Sequence, residues 1–108
     1  MHKISGVYCA ALTPINEDNT INKKLFLQHC NNLLSQNLDG LAIFGTTGEA
    51  NSFSIDEKIE AINYLIENNI KSEKLIPGTG QCSIKDTVKF TKSVVKLKTK
   101  AVLVLPPF

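Results

Sequence analysis

The sequence predicts an α/β fold built on a parallel sheet, with four strands joined by three crossover helices. Three observations carry this expectation. Short continuous apolar runs alternate with stretches whose apolar residues fall at helical spacing, in the order strand, helix, strand. The runs beginning at Leu41, Leu75 and Ala101 are apolar on both faces, as strands are when helices cover both sides of a parallel sheet. Successive strands start about thirty residues apart, the length of a βα repeat.

The elements follow in order. Val7 to Leu12 is a short apolar strand that ends at Thr13-Pro14. From Asn22 to Asn37, residues Leu25, Phe26, Cys30, Leu33 and Leu34 recur at helical spacing, and Asp39-Gly40 closes that helix. Leu41-Ala42-Ile43-Phe44 forms the second strand. Ser54 with Glu57 makes a capping box, in which each side chain satisfies a backbone N–H at a helix start. Ile55, Ile59, Ile62, Leu65 and Ile66 then mark the buried face of the second helix. Leu75-Ile76-Pro77 is a third strand, broken by Gly78-Thr79-Gly80. Ser83 with Asp86 suggests another cap, and Ile84, Val88, Val94 and Val95 give a third helical stripe. Ala101 to Leu105 is the fourth strand, followed by Pro106-Pro107-Phe108. No low-complexity segment or Pro/Gly/Ser linker divides the chain, so residues 1–108 belong to one domain.

Composition excludes several function classes. The 108 residues are 43% hydrophobic and 20% charged, with a net charge of +2. All twelve basic residues are lysine, scattered along the chain, whereas a nucleic-acid binder concentrates Lys and Arg in a patch. No nucleic-acid partner is expected. No apolar run approaches the roughly 18 residues of a membrane span, and Met1-His2-Lys3-Ile4 does not open a signal peptide. The expected location is the cytoplasm, with no membrane partner. Cys9, Cys30 and Cys82 are odd in number and contain no CxxC pair, which fits free thiols better than disulfides or a zinc site. No metal and no cofactor are expected.

In parallel α/β folds the functional groups collect on loops leaving the C-terminal ends of strands. Three such loops are complete, at residues 13–16, 45–53 and 78–82, and a fourth begins at Pro106. Gly45-Thr46-Thr47-Gly48-Glu49 is the informative one. Its glycines permit a sharp turn and close approach to a ligand. Its threonines offer hydroxyl and N–H donors to a carboxylate or phosphate, with a helix N-terminus nearby. The bland alternative is a plain βα turn whose threonine hydroxyls cap the helix.

Other candidates are weaker. Gly78-Thr79-Gly80-Gln81-Cys82-Ser83 resembles the start of a dinucleotide fingerprint, but Ser83 stands at the third glycine position. His29 has no second ligand at i+3 or i+4 on its helix. Cys82 lies at the functional end of the sheet with no histidine to activate it, and is a lining residue at most. A Schiff-base role needs a lysine desolvated at the site. Lys58, Lys85, Lys89, Lys92 and Lys96 belong to helices, Lys23, Lys24, Lys71 and Lys74 to helix ends or connectors, and Lys98 and Lys100 to the wrong end of the fourth strand. None qualifies.

Taken together, Ala11-Leu12-Thr13-Pro14, Gly45-Thr46-Thr47-Gly48-Glu49 with Ser54 and Glu57, Pro77-Gly78-Thr79-Gly80 and Val104-Leu105-Pro106-Pro107 resemble the opening half of the dihydrodipicolinate synthase and N-acetylneuraminate lyase family. The resemblance implies a (β/α)8 TIM barrel, of which this chain is the N-terminal half. It implies a class I aldolase or lyase that joins or splits pyruvate, or another 2-oxo acid, and an aldehyde through a lysine Schiff base. It also implies a homo-oligomer, a tetramer built from dimers, and, in the synthase branch, lysine biosynthesis.

Carried over, Thr47 binds the pyruvate carboxylate through its hydroxyl and N–H, and Thr46 relays a proton. Gly45 and Gly48 shape the loop, and Glu49 holds it without touching substrate. The Schiff-base lysine, on the sixth strand in the family, is not in this chain. Where many synthases carry a second tyrosine the chain has Phe108, which weakens the step to dihydrodipicolinate synthase itself. Thr46, commonly serine in the lyase branch, points to the synthase-like branch.

The competing expectations are a stand-alone, doubly wound α/β module that binds a small anion or nucleotide without catalysis, and a truncated relic. The chain by itself is expected to be inactive and poorly soluble, because its last strand leaves an apolar edge open.

Overall fold

A computed structural model describes residues 4–105, so the expectations placed on Pro106, Pro107 and Phe108 lie outside the described residues. Three strands alternate with three helices: β1 (Tyr8–Ala10), α1 (Lys23–Leu34), β2 (Gly40–Ile43), α2 (Ile55–Glu67), β3 (Leu75–Pro77) and α3 (Ile84–Val95). Short 3-10 turns at Ala50–Ser52 and Ser72–Lys74 precede α2 and β3.

The strands lie in the order β1-β2-β3, all parallel. Tyr8 pairs with Gly40 and Leu41 with Leu75. Each strand is added beside the last, always in the same direction. A doubly wound sheet reverses that direction at a switch point, where its ligand binds. No reversal occurs among the described residues, so the stand-alone doubly wound expectation finds no support.

The fourth strand is a correction. Over 101–105 the chain makes one parallel bridge, Gly78 to Leu103. Leu75 O accepts from Lys100 N at 2.9 Å and Pro77 O accepts from Leu103 N at 2.9 Å. Two residues along β3 are therefore matched by three on the other side, as in a bulge. Proline also has no N–H to complete the ladder, so Pro77 cannot supply the missing bond. The segment follows β3 without becoming a regular strand.

The helices form largely for the reasons the sequence gives. Asn22 caps α1, its side chain accepting from Leu25 N at 3.0 Å. The capping box of α2 is complete, with Ser54 Oγ accepting from Glu57 N and Glu57 Oε1 from Ser54 N. Ser83 caps α3 by accepting from Asp86 N. Two expectations need correction. The first helix stops at Leu34, and the left-handed turn behind it falls on Asn37 at φ 63°. Gly40 instead opens β2, where a Cβ would sit 2.5 Å from Lys74 O and 2.6 Å from Tyr8 Cε2. In α3 the buried residues are Phe90 and Val94, while Ile84, Val88 and Val95 are exposed. The large aromatic ring fixes which face turns inward; Val94, four residues on, shares that face, while Ile84, Val88 and Val95 rotate outward.

The core lies between the sheet and the helices. Leu41, Ile43 and Leu75 of the strands pack with Phe26, Cys30, Ala61, Ile62, Leu65, Phe90 and Val94, all essentially inaccessible. Burial pushes the Cys30 thiol up to about 12, because a thiolate would be desolvated there.

Candidate functional site

Phe44 is the pivot from which the informative loop departs. It ends the β2 segment with φ 56°, a left-handed conformation that costs a bulky residue roughly 1–3 kcal/mol. Packing holds it there. Its buried ring lies 5.6 Å from the Phe26 ring and 6.4 Å from the Phe53 ring, tilted and edge-on respectively, geometries that aromatic pairs favour. Behind it, a Cβ on Gly78 would fall on the Phe44 carbonyl oxygen. Only a glycine at the end of β3 lets the two strand ends approach so closely.

From Phe44 the chain runs through a compact turn. Glu49 N donates to Thr46 O at 3.0 Å, Ala50 N to Gly45 O at 3.2 Å and Ser52 N to Glu49 O at 2.9 Å. Two side chains brace this turn from outside. Thr13 Oγ1 donates to Gly48 O at 2.7 Å, and Lys58 Nζ donates to Ala50 O at 3.1 Å. Gly48 is buried, and a Cβ there would meet Ala11 O at 3.0 Å and Thr13 Oγ1 at 3.1 Å. Gly45 is unhindered, with nothing within 4 Å of an added Cβ.

The threonines project from this braced turn. Thr46 and Thr47 are exposed, and no hydrogen bond within the described residues engages their hydroxyls or their N–H groups. The α2 cap is Ser54, so capping by threonine hydroxyls has no hydrogen bond behind it. Glu49 is exposed at φ 55° and takes part in the turn through its backbone.

Beside the loop lies a cleft of about 210 Å³ at the C-terminal end of the sheet. Gly45, Thr46 and Glu49 line one wall, and Gly80, Gln81 and Cys82 line the other. Leu103 and Leu105 contribute apolar surface, and Thr47 stands outside this lining. Gln81 Nε2 is buried there without a partner among the described residues. No lysine among the described residues lines the cleft. The glycines of 78–80 serve packing: Thr79 beside them is fully buried, its Oγ1 accepting from Thr91 Oγ1 at 2.8 Å.

Lys58 is the residue that sequence reasoning passed over. It is fully buried on α2, its Nζ 5.1 Å from the centroid of the Phe90 ring. Desolvation lowers its pKa, and the neighbouring Glu57 carboxylate partly opposes that. Its position was visible in the spacing, three residues after Ile55 and four before Ile62. Among the described residues no group of three or more His, Cys, Asp or Glu side chains could hold a metal ion, and no helix is long and apolar enough to cross a membrane.

With this geometry established, comparison with known proteins is decisive. The profile of the dihydrodipicolinate synthetase family matches residues 3–108. The chain belongs to that family. A 4-hydroxy-tetrahydrodipicolinate synthase of Listeria innocua is 41% identical over 107 residues, covering 97% of this chain and 36% of the relative. The enzyme of the same name in Ehrlichia canis is 32% identical over 106 residues, with 98% and 36% covered.

Among solved structures, dihydrodipicolinate synthase from Agrobacterium tumefaciens superposes with a TM-score of 0.90 at 26% identity, over 94% of this chain and 36% of that one. N-acetylneuraminate lyase from Mycoplasma synoviae gives 0.85 at 30% identity, over 95% and 36%. The chain thus spans 36% of the length of these relatives. Its architecture is that of the N-terminal part of the (β/α)8 barrel shared by the family.

Proposed function

We propose that this chain supplies the 2-oxo-acid grip of a Schiff-base aldolase or lyase that joins or splits pyruvate, or a related 2-oxo acid, and an aldehyde. The activity is closest to that of 4-hydroxy-tetrahydrodipicolinate synthase. One observation carries the proposal: two adjacent threonines with uncommitted hydroxyls and N–H groups stand on a braced loop at the C-terminal end of a parallel sheet, beside a cleft. Such donors hold a carboxylate without an arginine, and this chain has none.

In this proposal Thr47 binds the carboxylate through its hydroxyl and N–H, and Thr46, which lines the cleft, relays a proton between a tyrosine outside residues 1–108 and the reacting centre, accepting one as it gives one up. Gly48 shapes the turn through its close contacts, and Gly45 leaves space for the ligand. The Schiff-base lysine belongs to the part of the relatives' length that this chain does not span. The enzyme acts in the cytoplasm as a homo-oligomer, a tetramer by resemblance, and serves lysine biosynthesis. The test is borohydride trapping with pyruvate on the full-length protein. A stable adduct on a lysine outside residues 1–108 is expected. An adduct on a lysine within 1–108, or none at all, overturns the assignment.

A further inference from the structure

Lys58 is a buried cation without a counter-ion among the described residues. The ion pair among the described residues is Lys23 with Glu60, and Glu57, beside Lys58 in the chain, spends its carboxylate on the α2 cap. The Lys58 ammonium has one carbonyl, Ala50 O, and the face of one ring, Phe90. Burying a charge on such terms is costly. Where only filling is required, an apolar side chain of similar volume serves as well or better. The position therefore asks for a reason beyond packing.

The reason lies in what Ala50 does. Its carbonyl accepts a hydrogen bond from Lys58 Nζ while its N–H donates to Gly45 O, so the residue ties α2 to the start of the threonine loop. Thr13 holds the same loop at Gly48 O from the β1 side. The turn carrying Thr46 and Thr47 is thus clamped between two side-chain donors from different elements. Among the described residues the cleft beside it is lined by one charged residue, Glu49, and by no cation.

We propose that Lys58 is a positioning residue for the carboxylate grip: by holding the Ala50 carbonyl it fixes the Gly45–Ser52 turn and so the direction in which the Thr46 and Thr47 donors point. This rests on the 2-oxo-acid function proposed above. Lys58 does not touch the substrate, since it lies beneath the cleft wall and outside its lining.

The experiment compares wild type, Lys58→Met and Lys58→Arg in the full-length protein. Met fills the volume without a donor, and Arg restores one. In Lys58→Met the half-saturating concentration of pyruvate rises by about tenfold, the worth of a charge-assisted hydrogen bond, and kcat falls with it, because the turn that holds Thr47 also holds Thr46. In Lys58→Arg it returns towards wild type. Hydrogen exchange supplies a readout that general destabilisation would not reproduce: the amides of Glu49, Ala50 and Ser52 exchange faster in Lys58→Met, and those in the middle of α2 do not.

If Lys58→Met fails to fold, Lys58→Gln, which keeps a donor without the charge, is read in the same way and behaves like Lys58→Arg. Unchanged half-saturation together with unchanged exchange in the loop overturns the positioning role. Uniformly faster exchange through α2 does so as well, since it would mean a packing role alone. If wild type itself gives no trapped adduct, the 2-oxo-acid function fails, and the exchange comparison alone decides whether Lys58 braces the loop.

Discussion

Two glycines line the same cleft, and the structure predicts opposite consequences for adding a methyl group to each. A Cβ on Gly78 would land on the Phe44 carbonyl oxygen, with Phe44 C at 3.0 Å and Gly45 N at 3.3 Å. These are backbone atoms and cannot swing aside. Gly78 cannot retreat either, because its N–H donates to Ile43 O at 2.7 Å. Relief would require turning the Phe44 peptide, which is already at φ 56° with its ring packed against those of Phe26 and Phe53. Gly78→Ala is therefore expected to cost about 2 kcal/mol, within the range of core overpacking. It should also displace the threonine loop. Gly45 has nothing within 4 Å and no positive φ, so Gly45→Ala should lie between neutral and about 0.5 kcal/mol stabilising, from reduced freedom of the unfolded chain. Urea unfolding of the full-length variants, compared at equal m-values, measures both. Equal midpoints for the two variants, or a lower midpoint for Gly45→Ala, would refute the packing argument at the strand ends.

Four further outcomes are expected. Thr47→Val should raise the KM for pyruvate about 10- to 100-fold, the loss of one hydrogen bond to a charged group, and Thr46→Val should lower kcat by about a hundredfold or more; steady-state kinetics separate the two. Phe90→Ala should cost about 3–5 kcal/mol, because the ring is fully buried and its removal leaves a cavity; chemical denaturation reads it. Alkylation at mildly alkaline pH should modify exposed Cys82 and spare Cys30, whose thiol is pushed up to about 12, and pyruvate should slow the reaction at Cys82, as peptide mapping will show. The lowered pKa of Lys58 sets a sign for stability against pH. Between its folded value and the ordinary 10.5 the native chain binds fewer protons than the unfolded one, so stability rises with pH across that window. The rise should be absent in Lys58→Met.

The main elements were legible because their signals are local. Continuous apolar runs gave β1, β2 and β3, and Asn22, Ser54 and Ser83 sit at helix starts, where each accepts from the backbone N–H three residues on. Legibility failed where partners distant in sequence decide. The four-residue rhythm of Ile84 and Val88 looks like a core stripe, but the volume of Phe90 decides which face of α3 turns inward. Gly40 looks like a helix terminator, whereas contact with Tyr8 and Lys74 holds it in a strand. Lys58 sits in phase with Ile55 and Ile62, and its charge alone argued against placing it inside. Its partner, the Ala50 carbonyl, is a backbone atom that no residue pattern announces.

The same asymmetry governs the site. Gly45-Thr46-Thr47-Gly48-Glu49 stood out as the candidate loop from its composition and its place after a buried strand, yet nothing within those five residues fixes which way the threonines point. That direction depends on Thr13, 35 positions from Gly48, on Lys58 across the turn, and on the absence of a Cβ at Gly78 on the neighbouring strand. Each brace comes from a different element, and Thr13 and Gly78 come into place only once β1, β2 and β3 lie side by side. An isolated peptide spanning 40–67, with β2, the loop and α2 intact, would keep the Ser54 cap and lose the Thr13 contact along with the strand end that backs Phe44. Its threonines would sample many orientations and hold a carboxylate poorly. Grip and sheet are in this sense one structure, and substitutions at Thr13 or Gly78 should weaken 2-oxo-acid binding although neither side chain reaches the ligand.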